Sequence, residues 1–426
     1  MLIVAIAFVI LILMGMPVAF AIGISGALFF LQHPELPFTI PVQVTISQTQ
    51  NFSLLAVPLF ILAGNFLNKS GITEHLLELA SVLTGRLKGG LAQVSIALAA
   101  LIGGVSGSAI GDAAMQARML GSELVKRGFT RGFSAGVMSF GAILTPIIPP
   151  GIGMILYGTI GQVSIGRLFA AGLFPAFLLW ISLAVAIWIA AHRRGYGAER
   201  KVAPTVREVG RAFKGGIWAL LFPVFLLLGL RMGVFTPSEI GSFAVIYAVF
   251  IGVLIYRQLK AKSFLEALTG GLSDVGSVMF LIALSAIFSY GIVLERVPEV
   301  VAGWILGATD NLQVVMVLVS LFIITVGFFI DATVLIIMLT PIFLPLVRDL
   351  GGDPVHFGIV FIVSATIGNF TPPVGAAMYA VCSIMKCPIG EYTKESVPLM
   401  LAVAIATLLL VFVPGLVLFI PNAIFG

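Results

Sequence analysis

Of 426 residues, 60% are hydrophobic and only 10% are charged, with a net charge of +5, whereas an average soluble domain carries roughly 25% charged residues. A soluble fold of this length cannot hide that much apolar surface, but a bilayer can. Four histidines and two cysteines leave little material for a histidine-based metal site or a disulfide framework, and the scattered positive charge reads as loop orientation, with no nucleic-acid partner.

In chain order, the first thirty residues are apolar and lack a basic start, which separates them from a cleaved signal peptide and predicts one retained, tilted span over 2–31. Residues 32–68 carry no Lys or Arg and are expected to face outward. Further apolar segments fall near 52–68, 90–110, 132–160, 167–191, 215–231, 239–256, 275–294, 312–330, 332–347, 355–385 and 396–424. Short amphipathic stretches predict interfacial helical arms near 72–88 and 296–311. Residues 192–214, with Arg193, Arg194, Arg200, Lys201, Arg207, Arg211 and Lys214, predict a basic cytoplasmic linker. A second basic loop, Arg257 to Lys262, falls on the same side, because the short outer turn Met232–Ser238 separates two spans between them. On this reading the N-terminus is cytoplasmic and the C-terminus periplasmic. Cys382 and Cys387, five residues apart, fall on different faces of a helix, which argues against a shared disulfide or metal role.

Four apolar stretches are interrupted by Gly, Pro, Ser or Asp: Ser106–Asp112, Thr145–Gly153, Gly327–Asp331 and Gly368–Gly375. Non-helical backbone at membrane depth survives only inside protein or around a wet cavity, so these are the places to look for a site.

The interruptions repeat. Asp112-Ala113 and Asp331-Ala332 are 219 residues apart, and Met119-Leu120 and Met338-Leu339 follow each at the same spacing. The double prolines Pro149-Pro150 and Pro372-Pro373 are 223 residues apart. A loop free of Lys and Arg in one half corresponds to a basic loop in the other, which points to inverted topology. The predicted fold is an all-α polytopic membrane protein of two inverted repeats, 1–191 and 215–426. It has about eleven transmembrane helices, as judged by apolar length, plus two re-entrant helical hairpins near 104–128 and 327–349.

Each proline removes a donor and frees carbonyl oxygens of the preceding turn. Such oxygens, with nearby hydroxyl and amide groups, suit a hard cation. Thr145, Ile148 and Pro150 supply these groups in the first half; Gly368, Asn369, Thr371 and Pro373 supply them in the second. A kink made only for packing is the alternative, and the second copy favours ion binding. Asp112 and Asp331 need a partner or a wet cavity, because a charge at the bilayer centre costs at least about 2.5–3.5 kcal/mol on insertion scales. Ser106, Gly107 and Ser108 precede one; Thr325 and Gly327 precede the other. Either Asp also reads as an N-cap of the helix that follows it, and the two roles are compatible. One carboxylate per half suits sodium better than calcium, which takes about six to eight oxygens with several carboxylates. Helix N-termini after the breaks would favour an anionic substrate between the halves.

Taken together, Ala56–Gly64 (AVPLFILAG), Gly104–Ser108 (GVSGS), Ile147–Pro150 (IIPP), Asp331-Ala332 and Thr371–Gly375 (TPPVG) resemble the large membrane subunit of tripartite ATP-independent periplasmic (TRAP) transporters over essentially the whole chain. Gly151 departs from the pattern, since many relatives look to carry Ser there. The resemblance implies a sodium-coupled secondary transporter for an organic acid such as a C4-dicarboxylate, sialic acid or sugar acid. It implies elevator-type transport and scaffold domains in a bacterial inner membrane. It also implies two partners, a periplasmic substrate-binding protein and a small four-helix membrane subunit, and no cofactor beyond sodium. By position it implies one sodium site at Ser106, Thr145, Ile148 and Pro150, supported by Asp112. The repeat suggests a second at Thr325, Gly327, Gly368, Thr371 and Pro373, with Asp331 and Asn369 as further candidates, and substrate near Ser108 and Asn369.

Three rivals are weaker. An intramembrane aspartyl protease needs two carboxylates sharing one site, whereas each Asp here has its own double-proline partner. A channel, or an ion-coupled exporter on the same scaffold without a binding protein, is the alternative transport reading; no His/Glu relay in the spans points to proton coupling. A purely structural scaffold would not need four broken segments. No phosphate-binding Gly-x4-Gly-Lys-Ser/Thr loop is present.

Overall fold

The computed structural model describes residues 1–426 except Asn51, Lys201 and Ala308 and the side chains of Phe52, Ser53 and Leu306. Among the described residues every regular element is helical. The chain opens with α1 (Leu2–Leu13) and α2 (Val18–Gln32). Gly15, at φ +80°, and Pro17 reverse the chain between them. Met1 and His33 both reach Glu295, at 2.7 and 3.4 Å, so the ends of this pair lie side by side and the helices run antiparallel. The single tilted span expected over 2–31 is therefore a hairpin. Apolar limbs on both sides of the turn hide it from any hydropathy reading.

Next come α3 (Ile40–Thr49) and α4 (Ala56–Lys69), joined by the 3-10 turn Phe52–Leu55, and then α5 (Ile72–Thr84). In α5, Ile72, Leu76, Leu79 and Ala80 share one buried face, as helical periodicity requires. Helices α6 (Gly90–Ser106) and α7 (Ala109–Lys126) form a hairpin with its tip at Gly107-Ser108. Its ascending limb starts at 90, well before the 104 expected. After α8 (Arg131–Gly141) and the 3-10 turn Ala142–Ile147, the chain bends by 43° into α9 (Ile152–Ile160), then enters α10 (Ile165–Arg194).

The second half follows the same plan: α11 (Val206–Arg231), α12 (Pro237–Phe250) with a π turn Ile251–Ile255, α13 (Ala261–Leu294) and the short α14 (Val297–Leu306). A hairpin of α15 (Leu312–Gly327) and α16 (Ala332–Asp349) comes next, so its first limb lies ahead of the 327 expected. Then come α17 (Pro354–Phe370), α18 (Ala376–Met385), α19 (Ile389–Phe412) and α20 (Gly415–Phe425). Ala308, within the expected second arm, and Lys201, within the expected linker, lie outside the described residues. The linker itself is shorter than 192–214. His192, Arg193 and Arg194 complete α10, and a capping box between Thr205 and Glu208 starts α11, leaving 195–205 as connection.

Matching elements exchange partners between halves: α4 packs on α12 and α2 on α13, while α7 packs on α18 and α16 on α9. The hairpins enter from opposite ends of the molecule. Below α6/α7, Arg127 pairs with Glu199 and Lys88 meets His192 at 2.8 Å. Below α15/α16, Arg348 donates to Gly161 O at 2.9 Å, at the far end of α10. Basic residues gather at the first end, where Lys69 pairs with Glu266 and Arg194 with Glu395. Glu266 and Glu295 lie near opposite ends of the 34-residue α13, a rod of about 50 Å. Met1, beside Glu295, thus sits away from the basic end, contrary to the sidedness expected for it.

Among the described residues six helices are long and apolar enough to cross a membrane, or seven if the bent pair α8–α9 counts as one span. Their outward faces stay apolar: Leu401, Ile405, Leu408 and Phe412 on α19 are exposed. Leaving one such side chain in water forfeits roughly 1.5–3 kcal/mol, so lipid must cover this stripe. The chain is a multi-pass membrane protein.

Candidate functional site

At the tip of the first hairpin, Gly107 takes φ +66°, the left-handed turn that lets α6 reverse. Ser108 caps α7, its Oγ accepting from Gly111 N at 3.3 Å. Asp112 is therefore not the cap; it lies one turn inside α7 with 1% exposure. Its Oδ2 accepts from Thr145 Oγ1 at 2.7 Å. Thr145 stands in the 3-10 turn ahead of the break, Ile148 is extended, and the Pro149–Pro150 peptide is cis. Among the described residues no donor reaches the carbonyl oxygens of Ile148, Pro149 or Pro150. The glycines of α6 let that backbone approach: a methyl on Gly104 would lie 3.2 Å from Pro149 O, and one on Gly107 3.0 Å from Pro150 O.

The second hairpin does the same with different groups. Here Asp331 is the cap, its Oδ1 accepting from Thr333 N at 2.8 Å. Its Oδ2 accepts from Asn369 Nδ2 at 3.1 Å. Asn369 is 2% exposed, and its Oδ1 has no partner among the described residues, which leaves one buried acceptor unused. Gly368 and Gly327 touch where α17 crosses α15: a methyl on Gly368 would lie 2.6 Å from the Gly327 α-carbon. Thr371 ends α17, and after the cis Pro372–Pro373 peptide Gly375, at φ +26°, turns the chain under Asn369 O and Thr371 O. A methyl on Gly375 would lie 2.8 and 2.9 Å from those two oxygens. Thr325 is not brought in; it is exposed and its hydroxyl donates back to Leu321 O at 2.8 Å.

Both clusters open on one cavity of about 760 Å³. Ser106, Ser108 and Asp112 line it from the first half; Asp331, Thr366 and Asn369 line it from the second. Thr145, Ile148, Thr371 and the double prolines stand behind this wall. Sequence reasoning missed several polar residues of the lining, among them Asn65 and Lys69 on α4, Arg118 on α7, Asp274 on α13 and Thr366 on α17. Asn65 donates to Asp274 at 3.0 Å and Lys69 pairs with Glu266, whereas no carboxylate among the described residues pairs with Arg118. A signal for Arg118 existed, since Asp112 and Arg118 are the two charges between Lys88 and Glu123. Chemically the site offers unbonded main-chain oxygens at the first break, the carboxylates of Asp112, Asp274 and Asp331, and a shared polar space. Asp112 and Asp331 are each bonded within their own half, so these two carboxylates do not share one site.

Paired hairpins entering from opposite ends, each docked on a broken helix at a shared polar cavity, define a membrane transport protein. The family model described as "Tripartite ATP-independent periplasmic transporter, DctM component" matches residues 5–416. The chain belongs to that family, the large permease subunits of TRAP transporters, and is not an enzyme. It is 31% identical to the 2,3-diketo-L-gulonate TRAP transporter large permease protein YiaN of Escherichia coli, over 95% of each chain. It is also 31% identical to the sialic acid TRAP transporter large permease protein SiaM of Vibrio cholerae, over 97% of this chain and 96% of that one. The crystal structure of the Alcanivorax borkumensis YdaH transporter shares the fold, with a TM-score of 0.63 at 16% identity over 86% of each chain.

Proposed function

We propose that the protein carries out sodium-coupled uptake of a small organic anion, delivered by a periplasmic binding protein, across a bacterial inner membrane. The observation that carries this reading is the duplicated link of carboxylate to broken helix: Asp112 to Thr145 at 2.7 Å and Asp331 to Asn369 at 3.1 Å, at one cavity. At each break the freed carbonyls, backed by one carboxylate, supply the hard oxygens a monovalent cation takes in exchange for water. Thr145, Ile148, Pro150 and Ser106 with Asp112 serve the first site. The second uses Gly327, Gly368, Asn369, Thr371 and Pro373 with Asp331; Thr325 contributes at most through its backbone. The cations offset the carboxylates, so an anion can enter beside Ser108 and Asn369. Names of relatives support a carboxylate substrate such as a sugar acid or sialic acid.

On this reading the shorter apolar helices cross as well, giving five crossings in each half: α1, α2, α3–α4, α8–α9 and α10, then α11, α12, α13, α17–α18 and α19. Such an odd number would turn the second half over relative to the first, as an inverted repeat requires. α20 stays at one end: Leu410 O, just before it, meets His356 at the start of α17, and Phe425 packs by Gly166 at the start of α10. Positive-inside assignment makes the basic end cytoplasmic and puts Met1 and Phe425 on the periplasmic side. Both hairpins are then re-entrant. Scaffold helices α1–α4 and α11–α14 would stand still while the hairpins and the spans after them move as the elevator, the cavity lying between the two groups. The word tripartite in the family's description supports two partners, the binding protein and a small four-helix membrane subunit.

The test is uptake by proteoliposomes holding the chain with its small subunit and loaded binding protein. Sodium outside should drive accumulation. Equal uptake with potassium in its place would remove the coupling.

A further inference from the structure

The motif Ala56–Gly64 supplies no cation ligand, yet its last residue stands against the tip of the first hairpin. Gly64 is buried on α4 and faces the last turn of α6: a methyl on it would lie 3.1 Å from Ser106 O and 3.2 Å from Val105 O. These oxygens end α6 before the turn at Gly107, and no donor among the described residues bonds either. On the other side of α6, a methyl on Gly104 would lie 2.9 Å from the ring of Pro223 on α11. Two scaffold helices thus close on one turn of the hairpin, each at a place where a glycine leaves out the side chain.

Helix α4 also changes character at this height. Toward one end Ile61 is buried, and Phe60 meets Phe169 of α10 edge-on with ring centres 6.2 Å apart. Toward the other, Asn65, Asn68 and Lys69 line the cavity down to the basic end. The tip therefore rests where a dry seal gives way to a wet mouth, and the cavity faces the cytoplasm. The second hairpin is not gripped in this way. Thr325, the counterpart of Ser106, is exposed near the end of α15, and so are Leu321 and Phe322. Inverted repeats that trade one hairpin's contact for the other's have two end states, and one of them is seated here.

We infer that Gly64 is a positioning residue of the transport cycle, its missing side chain letting the first hairpin seat on the scaffold and so stabilising the cytoplasm-facing state over the opposite one. This rests on the elevator reading above. α4 is helical in both states, so the helix propensity gained by Gly64→Ala cancels between them. The clash does not cancel, because it exists only where the α6 carbonyls lie against α4. Backbone oxygens cannot rotate aside, so the added methyl tilts the balance away from the seated state.

The experiment uses the full chain in nanodiscs, with Cys382 and Cys387 replaced by alanine and spin labels attached through Gly210→Cys on α11 and Gly390→Cys on α19. Both label positions are exposed, and an added side chain meets nothing there. Pulsed electron resonance, with and without sodium, reads the distance distribution between scaffold and moving part. Gly64→Ala should cut the population that matches this structure, relative to the other, by about fivefold or more, and Gly64→Val should cut it further. Gly276→Ala, whose methyl touches nothing, should keep the parent's ratio. A Gly64→Ala chain with the parent's ratio of two populations overturns the inference alone. Should Gly64→Ala fail to fold, Pro223→Ala decides: deleting the ring carbons against α6 should lower the same population about fourfold, the worth of one buried methylene, and an unchanged ratio overturns the grip. One distance in every chain, with and without sodium, would instead sink the elevator reading and this inference with it.

Discussion

Replacing Gly368 with Ala tests whether the second break is built by close backbone contact. The new methyl would sit 2.6 Å from the Gly327 α-carbon and 2.7 Å from Ile324 O. Non-bonded carbons rest at about 3.5–4.0 Å, so α15 and α17 must separate by roughly 1 Å. Backbone atoms are the obstacle and cannot rotate aside, which puts the cost in the overpacking range of about 1–3 kcal/mol. The hairpin tip carries Asp331, and its 3.1 Å bond to Asn369 would lengthen with the separation. Sodium affinity should therefore fall along with stability, by tenfold or more if the lost contact approaches about 1.5 kcal/mol. Gly276→Ala is the control: nothing lies within 4 Å of its added methyl, and a helical Gly→Ala change gains roughly 0.5–1 kcal/mol. Thermal unfolding with and without sodium reads both effects. A Gly368→Ala protein with the parent's unfolding temperature and sodium midpoint would refute the close-contact argument.

Thr145→Val removes the hydroxyl bonded to Asp112 at 2.7 Å; a buried carboxylate that loses a hydrogen bond costs about 1.5–3 kcal/mol, so the sodium midpoint should rise at least tenfold in the same titration. Arg118→Gln deletes the unpaired cavity cation; it should weaken organic-anion uptake in proteoliposomes while the sodium-induced rise in unfolding temperature stays at the parent value. Thr205→Ala breaks the capping box that starts α11; it should cost about 1 kcal/mol of stability and leave the sodium midpoint unmoved.

Much of this architecture can be read from the bare chain, because a membrane makes polarity informative. Asp112 and Asp331 stand out against apolar surroundings, and prolines at matched spacing mark where helices must break. Features that depend on direction or assembly stay hidden. The α1/α2 turn lies between two equally apolar limbs, so only Gly15 and Pro17 betray it. The ascending limbs α6 and α15 read as ordinary spans until their tips are seen to turn back. Thr325 matches Ser106 by offset, yet the rotation of α15 points its hydroxyl at Leu321 O. Asn65, Lys69 and Asp274 join the cavity only because α4 and α13 pack beside the hairpins, which no local pattern announces.

Equilibrium binding of radioactive sodium to the purified chain tests the central claim most directly. Saturable binding that excess potassium does not displace is expected, with part of it lost in Asp112→Asn and another part in Asp331→Asn. Binding that never saturates, or that both variants keep in full, would contradict the assignment of cation sites to the two broken helices.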